Sequence, residues 1–277
     1  MQYDPIKKSL GKVFNKKPFL RKFFYNLLDL LLLRAWYVKR ELRKWKKSSP
    51  QDVKILDAGA GFGQYSFFMS KLGRKFNILG VEVKKEQIDD CNSFFKQIKQ
   101  DQRVKFDYAD LTNFKRDKEF DLILSVDVME HIEEDVKVFE NFYASLKDDG
   151  LLLISTPSHL AEDHDHDHDY DEHDGKEISF VDEHVRDGYF PDEIFEKLQK
   201  SGFKNVSVKY SYGTPGKIAW VLSMKIPIIV LNISQLFFIL LPFYYIITYP
   251  FAFILNWVDT LFKHKKGGGL LVKAKKN

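Results

Sequence analysis

The chain has 277 residues, 44% of them hydrophobic and 30% charged, with a formal net charge of +4 at neutral pH. That is enough apolar material for a sizeable core, which excludes global disorder. A single cysteine, Cys91, excludes an intrachain disulfide and any cysteine-cluster zinc site.

The charge is unevenly spread. Residues 1–50 carry 14 Lys/Arg against three acids, Asp4, Asp29 and Glu41, a net of +11. Such an arm suits nucleic acid or an anionic membrane surface. The first residues are polar and basic and lack the apolar core and cleavage pattern of a secretory signal. From Phe19 to Trp45 few breakers interrupt a run rich in Leu, Arg, Lys and Trp, which predicts one long helix or two shorter ones. Two readings of this arm stand together: a helix packed on the domain with a basic solvated face, and an interfacial helix or substrate lid.

After Pro50 the pattern alternates. Strands are predicted at Val53 to Ala58, Phe76 to Glu82, a segment ending near Tyr108, Phe120 to Val126, and the run LLLIST from Leu151. Helices are predicted between them, at about Tyr65 to Leu72, Lys85 to Ile98 and Glu134 to Leu146. Short apolar runs joined by helices argue for a mostly parallel sheet covered by helices. A further helix begins near Pro191 and ends at Gly202, followed by a strand from Phe203 to Tyr210. Leu270 to Lys275 reads as a last strand returning to the sheet.

Two segments depart from this rhythm. In the first, His164, His166, His168 and His173 alternate with aspartates. Imidazole and carboxylate are competent metal ligands, but alternating positions define no closed coordination shell, so the reading is an exposed acidic loop without a metal. Clustered histidines also gain charge on acidification. The second segment, Ile226 to Val258, contains no Asp, Glu, Lys or Arg. Its 33 residues exceed one membrane span and fall short of two with a turn. A single crossing would separate the last strand from its sheet, so a re-entrant or surface-lying hairpin is expected. Trp257, Tyr244 and Tyr245 would lie at the interface, and Lys263, Lys265 and Lys266 near headgroups. The alternative is a hydrophobic oligomer interface or an apolar cap.

The strongest local motif is Asp57-Ala-Gly59-Ala60-Gly61-Phe-Gly63, placed after a predicted strand and before a predicted helix. Glycines allow a tight turn and close approach to a ligand, and the helix N-terminus adds free N–H donors. The third glycine falls one position early for the dinucleotide pattern, and there is no P-loop lysine motif. Glu82 ends the second strand, where its carboxylate can accept from both hydroxyls of an adenosine ribose. Nicotinamide enzymes use the same device.

ILDAGAGFG, GVE with Glu82, YADL with Asp110, FDLILSVDVMEHI and GLLLISTP together resemble the class I S-adenosylmethionine-dependent methyltransferase family, particularly small-molecule members of the ubiquinone/menaquinone-biosynthesis type. The resemblance spans about Val53 to Phe203. It implies a Rossmann-like α/β fold with a seven-stranded sheet. The N-terminal helical arm and an apolar insertion before the last strand are additions to it. It further implies S-adenosyl-L-methionine as cofactor. Asp57, Gly59, Ala60, Gly61 and Gly63 would surround the methionine part and Glu82 the ribose. Asp110 and Leu111 would meet the adenine, with Val126 and Asp127 beyond the fourth strand near cofactor and substrate. Lys84, two residues after Glu82, departs from the small polar residue of many relatives.

Methyl transfer asks the protein mainly to align a nucleophile and exclude water, with a base where a hydroxyl or carbon acceptor needs one. His131 and His184 are the proton-transfer candidates; Arg186 and Tyr189 are the substrate-binding candidates, Arg186 through its planar fork. The division expected is a basic arm over 1–50, a methyltransferase core over 51–225, an apolar membrane-associating insertion over 226–266, and a final strand and tail over 267–277. The expected activity is methyl transfer to a hydrophobic or lipid-linked small molecule, with oxygen favoured as acceptor. The expected location is the cytoplasmic side of a membrane, peripheral or monotopic, with homo-oligomerisation open. RNA methylation, a nicotinamide-dependent oxidoreductase and a non-enzymatic membrane scaffold are the alternatives. Against RNA, the acidic loop would repel phosphate near the active rim.

Overall fold

The computed structural model describes residues 17–49, 52–161 and 185–277. The histidine–aspartate loop and His184 lie outside the described residues. The basic arm forms two helices, α1 (Pro18–Leu31) and α2 (Leu33–Ser48), broken at Leu32, which is extended with φ −95° and ψ 107°. The core follows as β1 (Val53–Ala58), α3 (Gln64–Leu72), β2 (Phe76–Glu82), α4 (Lys85–Gln97), β3 (Val104–Tyr108), β4 (Phe120–Val126), α5 (Asp135–Ser145), β5 (Leu146–Pro157), α6 (Pro191–Lys200) and β6 (Asn205–Ser211). Two helical stretches follow. The first runs as α7 (Thr214–Trp220), a wider turn and α8 (Ile226–Ile233); the second is α9 (Leu241–Leu261), and β7 (Gly269–Lys275) closes the chain.

The sheet is seven-stranded, in the order β3-β2-β1-β4-β5-β7-β6. β1 to β5 pair in parallel, whereas β7 inserts antiparallel between β5 and β6. This is the Rossmann-like sheet with arm and apolar insertion that the sequence predicts. Its parallel strands are apolar on both sides because helices cover both faces. On one face Ile55, Phe67, Phe94 and Phe95 pack with Tyr25, Val38 and Leu42 of the arm. On the other, Leu56, Ile123, Phe139, Phe142, Leu198 and Phe203 form a second core. The arm is therefore part of the helix layer, and Lys273 of β7 donates to Glu41 of α2 at 2.8 Å.

Sequence periodicity placed the strands closely but missed where the C-terminal hairpin begins. Its first helical stretch starts at Thr214, twelve residues before the uncharged run, because Lys217 and Lys225 are tolerated on an exposed helix face. The two stretches, 20 and 21 residues long, are each long and apolar enough to cross a membrane. Ser211 and Gly269 are paired in the β6–β7 ladder, so the hairpin leaves and returns at one point of the sheet.

Candidate active site

The carboxyl ends of β1, β2 and β4 meet around the glycine loop. Gly59, Gly61 and Gly63 all adopt left-handed backbone, with φ of +72°, +50° and +72°. At Gly59 a side chain is barred twice, since its Cβ would also lie 2.3 Å from Val128 Cγ2. At Gly61 the surrounding space is open, with nothing closer to a Cβ position than Gln87 Oε1 at 3.9 Å. Gly61 is thus where a ligand can approach bare backbone. The N–H groups of Gly59 and Ala60 both donate to Val81 O, at 2.9 and 3.0 Å, which ties the loop to β2.

Glu82 is held by its neighbours. Its Oε2 accepts from Gly61 N at 3.0 Å, and its Oε1 from Val83 N and Lys84 N at 2.9 and 3.2 Å. Asp110, exposed beyond β3, accepts from Thr112 N and Oγ1 at 2.9 and 2.8 Å and from Asn113 Nδ2 at 3.1 Å. Partial burial opposes its ionisation, but these hydrogen bonds prevail and hold it below the usual carboxylate range. Leu111 beside it is buried. Asp57 differs: it is buried beneath the loop, accepts from Ser66 Oγ at 2.6 Å, and is pushed by burial up to about 6.

Val126 ends β4 half-buried, and Asp127 follows in left-handed backbone with φ +52°. Its carboxylate meets Arg34 Nη1 of α2 at 2.5 Å. Arg34 also donates its backbone N–H to Tyr212 Oη at 3.0 Å. The Tyr65 hydroxyl, buried without a hydrogen-bond partner among the described residues, lies within electrostatic reach of Arg34, Asp127 and Tyr212. Asp29 at the end of α1 accepts from Gln64 Nε2 at 2.6 Å and pairs with Lys39. Arg21 of α1 donates to Phe62 O at 3.0 Å and Asp90 O at 2.9 Å. The arm thus roofs the glycine loop. Arg34, Tyr65 and Tyr212 escaped sequence reading. Tyr65 was visible as the residue two after Gly63, whereas no local pattern sets Arg34 apart from the arm's other cations.

The rim candidates go elsewhere. Tyr189 is 0% exposed and donates to Met129 O at 3.1 Å and Asp135 Oδ2 at 2.8 Å. Arg186 pairs with the same carboxylate and donates to Ile132 O at 2.8 Å. Lys197 completes the cluster at 2.8 Å. Tyr189 therefore spends its hydroxyl, and Arg186 its two Nη groups, on the scaffold, because Asp135 at the start of α5 collects them, while Arg186 Nε stays buried without a partner among the described residues. His131 sits half-buried on the short turn after β4. On that turn Glu130 is buried and accepts from Thr156 Oγ1 at 3.1 Å; burial and then the charge of Asp127 raise it well above the usual range.

Asp57, Glu82 and Asp110 form a donor-poor, acceptor-rich set along three neighbouring strands, and the glycine loop carries no lysine or arginine. This chemistry fits a ligand bearing an ammonium, ribose hydroxyls and an amino-substituted ring, and it fits a pyrophosphate poorly. Together with the reversed last strand, it defines the class I methyltransferase fold.

Comparison with known proteins agrees. The family described as "Methyltransferase domain" matches residues 49–188, half of the chain. The chain belongs to that family and is an S-adenosyl-L-methionine-dependent methyltransferase. It is similar to the ubiquinone biosynthesis O-methyltransferase of Rickettsia bellii, 24% identical over 177 residues that cover 62% of this chain and 70% of that enzyme. It is also similar to (S)-coclaurine N-methyltransferase of Papaver somniferum, 30% identical over 105 residues, 38% of this chain and only 30% of that enzyme's length. In fold it matches Haemonchus contortus phosphoethanolamine N-methyltransferase 2 with a TM-score of 0.58 at 18% identity, over 87% of this chain and 53% of the other.

Proposed function

We propose that this enzyme methylates a hydroxyl of a hydrophobic or lipid-linked small molecule drawn from the cytoplasmic face of a membrane. The observation that carries it is the junction of the arm and the C-terminal hairpin beside the strand-end acids. Tyr249 of α9 donates to Leu30 O at 3.3 Å, and Trp36 stacks edge-on with Phe253 at 5.0 Å. Leu30 is itself exposed, and Arg34, four residues on across the break at Leu32, pairs with Asp127. An apolar acceptor reaching the site from the hairpin meets this junction first. Relatedness to ubiquinone O-methyltransferases supports an oxygen acceptor on a hydrophobic molecule.

S-adenosyl-L-methionine, when bound, supplies an already activated methyl group. Gly59, Ala60, Gly61 and Gly63 give a close, small-residue backbone and clearance for its methionine part, their own N–H groups being spent on Val81 O, Glu82 Oε2 and Ala60 O, with the Asp57 carboxylate beneath. Glu82, fixed by three N–H groups, retains acceptor capacity for ribose hydroxyls. Asp110 accepts from the adenine amino group and Leu111 packs on the ring. Val126 and Asp127 border the place where the acceptor hydroxyl is held. The roof made by α1 and α2 excludes water there. Tyr65, whose hydroxyl needs a partner, orients the acceptor oxygen, and His131 or His184 takes its proton.

The test is calorimetric binding of S-adenosyl-L-methionine to detergent-solubilised protein, with NAD as comparator, followed by transfer of labelled methyl to phenolic isoprenoids. Binding of the methyl donor without NAD binding, and label in the organic phase, is the expected result. Label found only in added RNA would overturn the acceptor class.

A further inference from the structure

The C-terminal hairpin turns the usual rule of helix surfaces inside out. On α9 the outward face reads Phe243, Ile246, Ile247, Phe251, Ile254 and Trp257, recurring at three- and four-residue steps, and all are exposed. Ile246 and Ile247 are 71% and 68% exposed. Polar groups point inward instead. Asn256 and Asp259 are buried, and Tyr244 and Tyr245 donate across the hairpin to Leu222 O and Ser223 O at 2.6 and 2.8 Å. The base is fastened to the arm, with Asp259 accepting from Tyr37 at 2.6 Å and from Gly216 N at 2.8 Å. A helix with such an outer face loses solvation in water and gains it in hydrocarbon.

Charge fixes the occupant. Between Gly213 and Gly268 the chain carries five lysines, Lys217, Lys225, Lys263, Lys265 and Lys266, all exposed, and a single acid, the buried Asp259. A second copy meeting this face across a two-fold axis would oppose lysine to lysine. An anionic headgroup layer complements it.

We propose that the hairpin inserts into one leaflet of an anionic bilayer, apex inward, and leaves the lysines at the headgroups. The geometry sets the depth. From Lys225 to the apex the chain has only the eight residues of α8, about 12 Å of helix, against roughly 15 Å for half of a hydrocarbon core. The exposed Ile233, Phe238 and Ile239 would form the deepest part, with α9 lying oblique beneath the surface. Because Ser211 and Gly269 are ladder partners, the catalytic sheet stays wholly on the side of entry. This inference rests on the membrane-associated reading above and adds its topology and depth.

The full chain, exchanged from detergent, is mixed with phosphatidylglycerol–phosphatidylcholine vesicles and floated on a density gradient. It carries Ile239→Cys labelled with an environment-sensitive fluorophore; Cys91 is buried and spared. Expected are flotation, quenching of the label by spin-labelled lipid, and no quenching by cobalt trapped in the vesicle lumen. Flotation drops about a hundredfold for Ile239→Asp combined with Phe243→Asp. It drops about tenfold or more for alanine at Lys263, Lys265 and Lys266 together. Lumenal quenching of the label would overturn single-leaflet insertion in favour of spanning. A label shielded in vesicle-free buffer by a stable dimer that does not float would overturn it in favour of self-association. Cofactor calorimetry on the same variants stays unchanged, so a failure here is distinct from a failure of the methyltransferase site.

Discussion

Two polar clusters flank the carboxyl edge of the sheet, and they differ in what they leave open to solvent. Around Asp135, the carboxylate is buried and Arg186, Tyr189 and Lys197 all converge on its Oδ2. Around the glycine loop, Glu82 is only half-buried and Asp110 is exposed, each held by nearby donors. All three carboxylates are held, so being held and being closed off are different conditions. Fixation in the interior marks scaffold. Fixation with an accessible edge marks a place for a ligand.

The sharpest way to break that contrast is at its buried side. Asp135→Ala takes their shared buried carboxylate from Arg186, Lys197 and Tyr189, and should cost about 3 kcal/mol in urea unfolding, since each keeps one other partner. The folded fraction should bind S-adenosyl-L-methionine with unchanged affinity. A selective loss of cofactor or acceptor binding in a fully stable variant would show that Arg186 and Tyr189 serve a ligand after all.

Glu130 extends the scaffold side and carries a pH signature. Burial and the Asp127 charge raise its folded-state pKa above the unfolded value. Below the ordinary glutamate range both states are protonated and nothing is lost. As pH rises from there toward the raised value, the unfolded state ionises first, and the native state weakens by about 1.4 kcal/mol per pH unit. Glu130→Gln keeps an acceptor for Thr156 and cannot ionise. Urea melts at mildly acid and mildly alkaline pH should therefore show a steep loss in the parent enzyme and a shallow one in the variant. Equal slopes would mean that Glu130 is ionised in the fold.

The two clusters were not equally legible in the sequence. Strand periodicity placed β1, β2 and β4 at their observed bounds, because parallel strands covered on both faces must read as apolar runs. The glycine loop and Glu82 were equally visible, since strand, turn and helix are contiguous there. The rim was not. Arg186 and Tyr189 looked like ligand groups because Asp135, some fifty residues earlier, shows no local sign that it will receive them. The same holds for Arg34, whose partner Asp127 comes from the far end of β4. Local chemistry is written in consecutive residues, whereas pairing across the fold depends on which loops the sheet order brings together.

On the ligand side, Glu82→Ala should weaken S-adenosyl-L-methionine binding about 10- to 100-fold, the range for losing hydrogen bonds to a charged group. Because its three N–H partners lie at the surface of the loop and can turn to water, the melting temperature should shift little. Calorimetry and thermal unfolding on one preparation measure both. Large destabilisation with unaltered affinity would move Glu82 to the scaffold class.

Asp57 tests the contrast most finely, since it is buried like the scaffold yet lies beneath the ligand loop. Burial lifts it to about 6, with Ser66 alone among the side chains partly offsetting the rise. If its carboxylate faces the ammonium of the methionine part, the bound cofactor favours ionisation. Apparent affinity then follows the ionised fraction of the free enzyme. That fraction falls about tenfold between pH 7 and pH 5, and the apparent dissociation constant rises by the same factor. Near pH 6 the cofactor should also displace a proton on binding, seen as a dependence of the binding heat on the buffer's ionisation enthalpy. Asp57→Asn should bind more weakly at pH 7 and lose both effects. If instead the parent enzyme binds equally at both pH values without proton release, Asp57 is a partner of Ser66 only, and burial outweighs position in deciding what a carboxylate does.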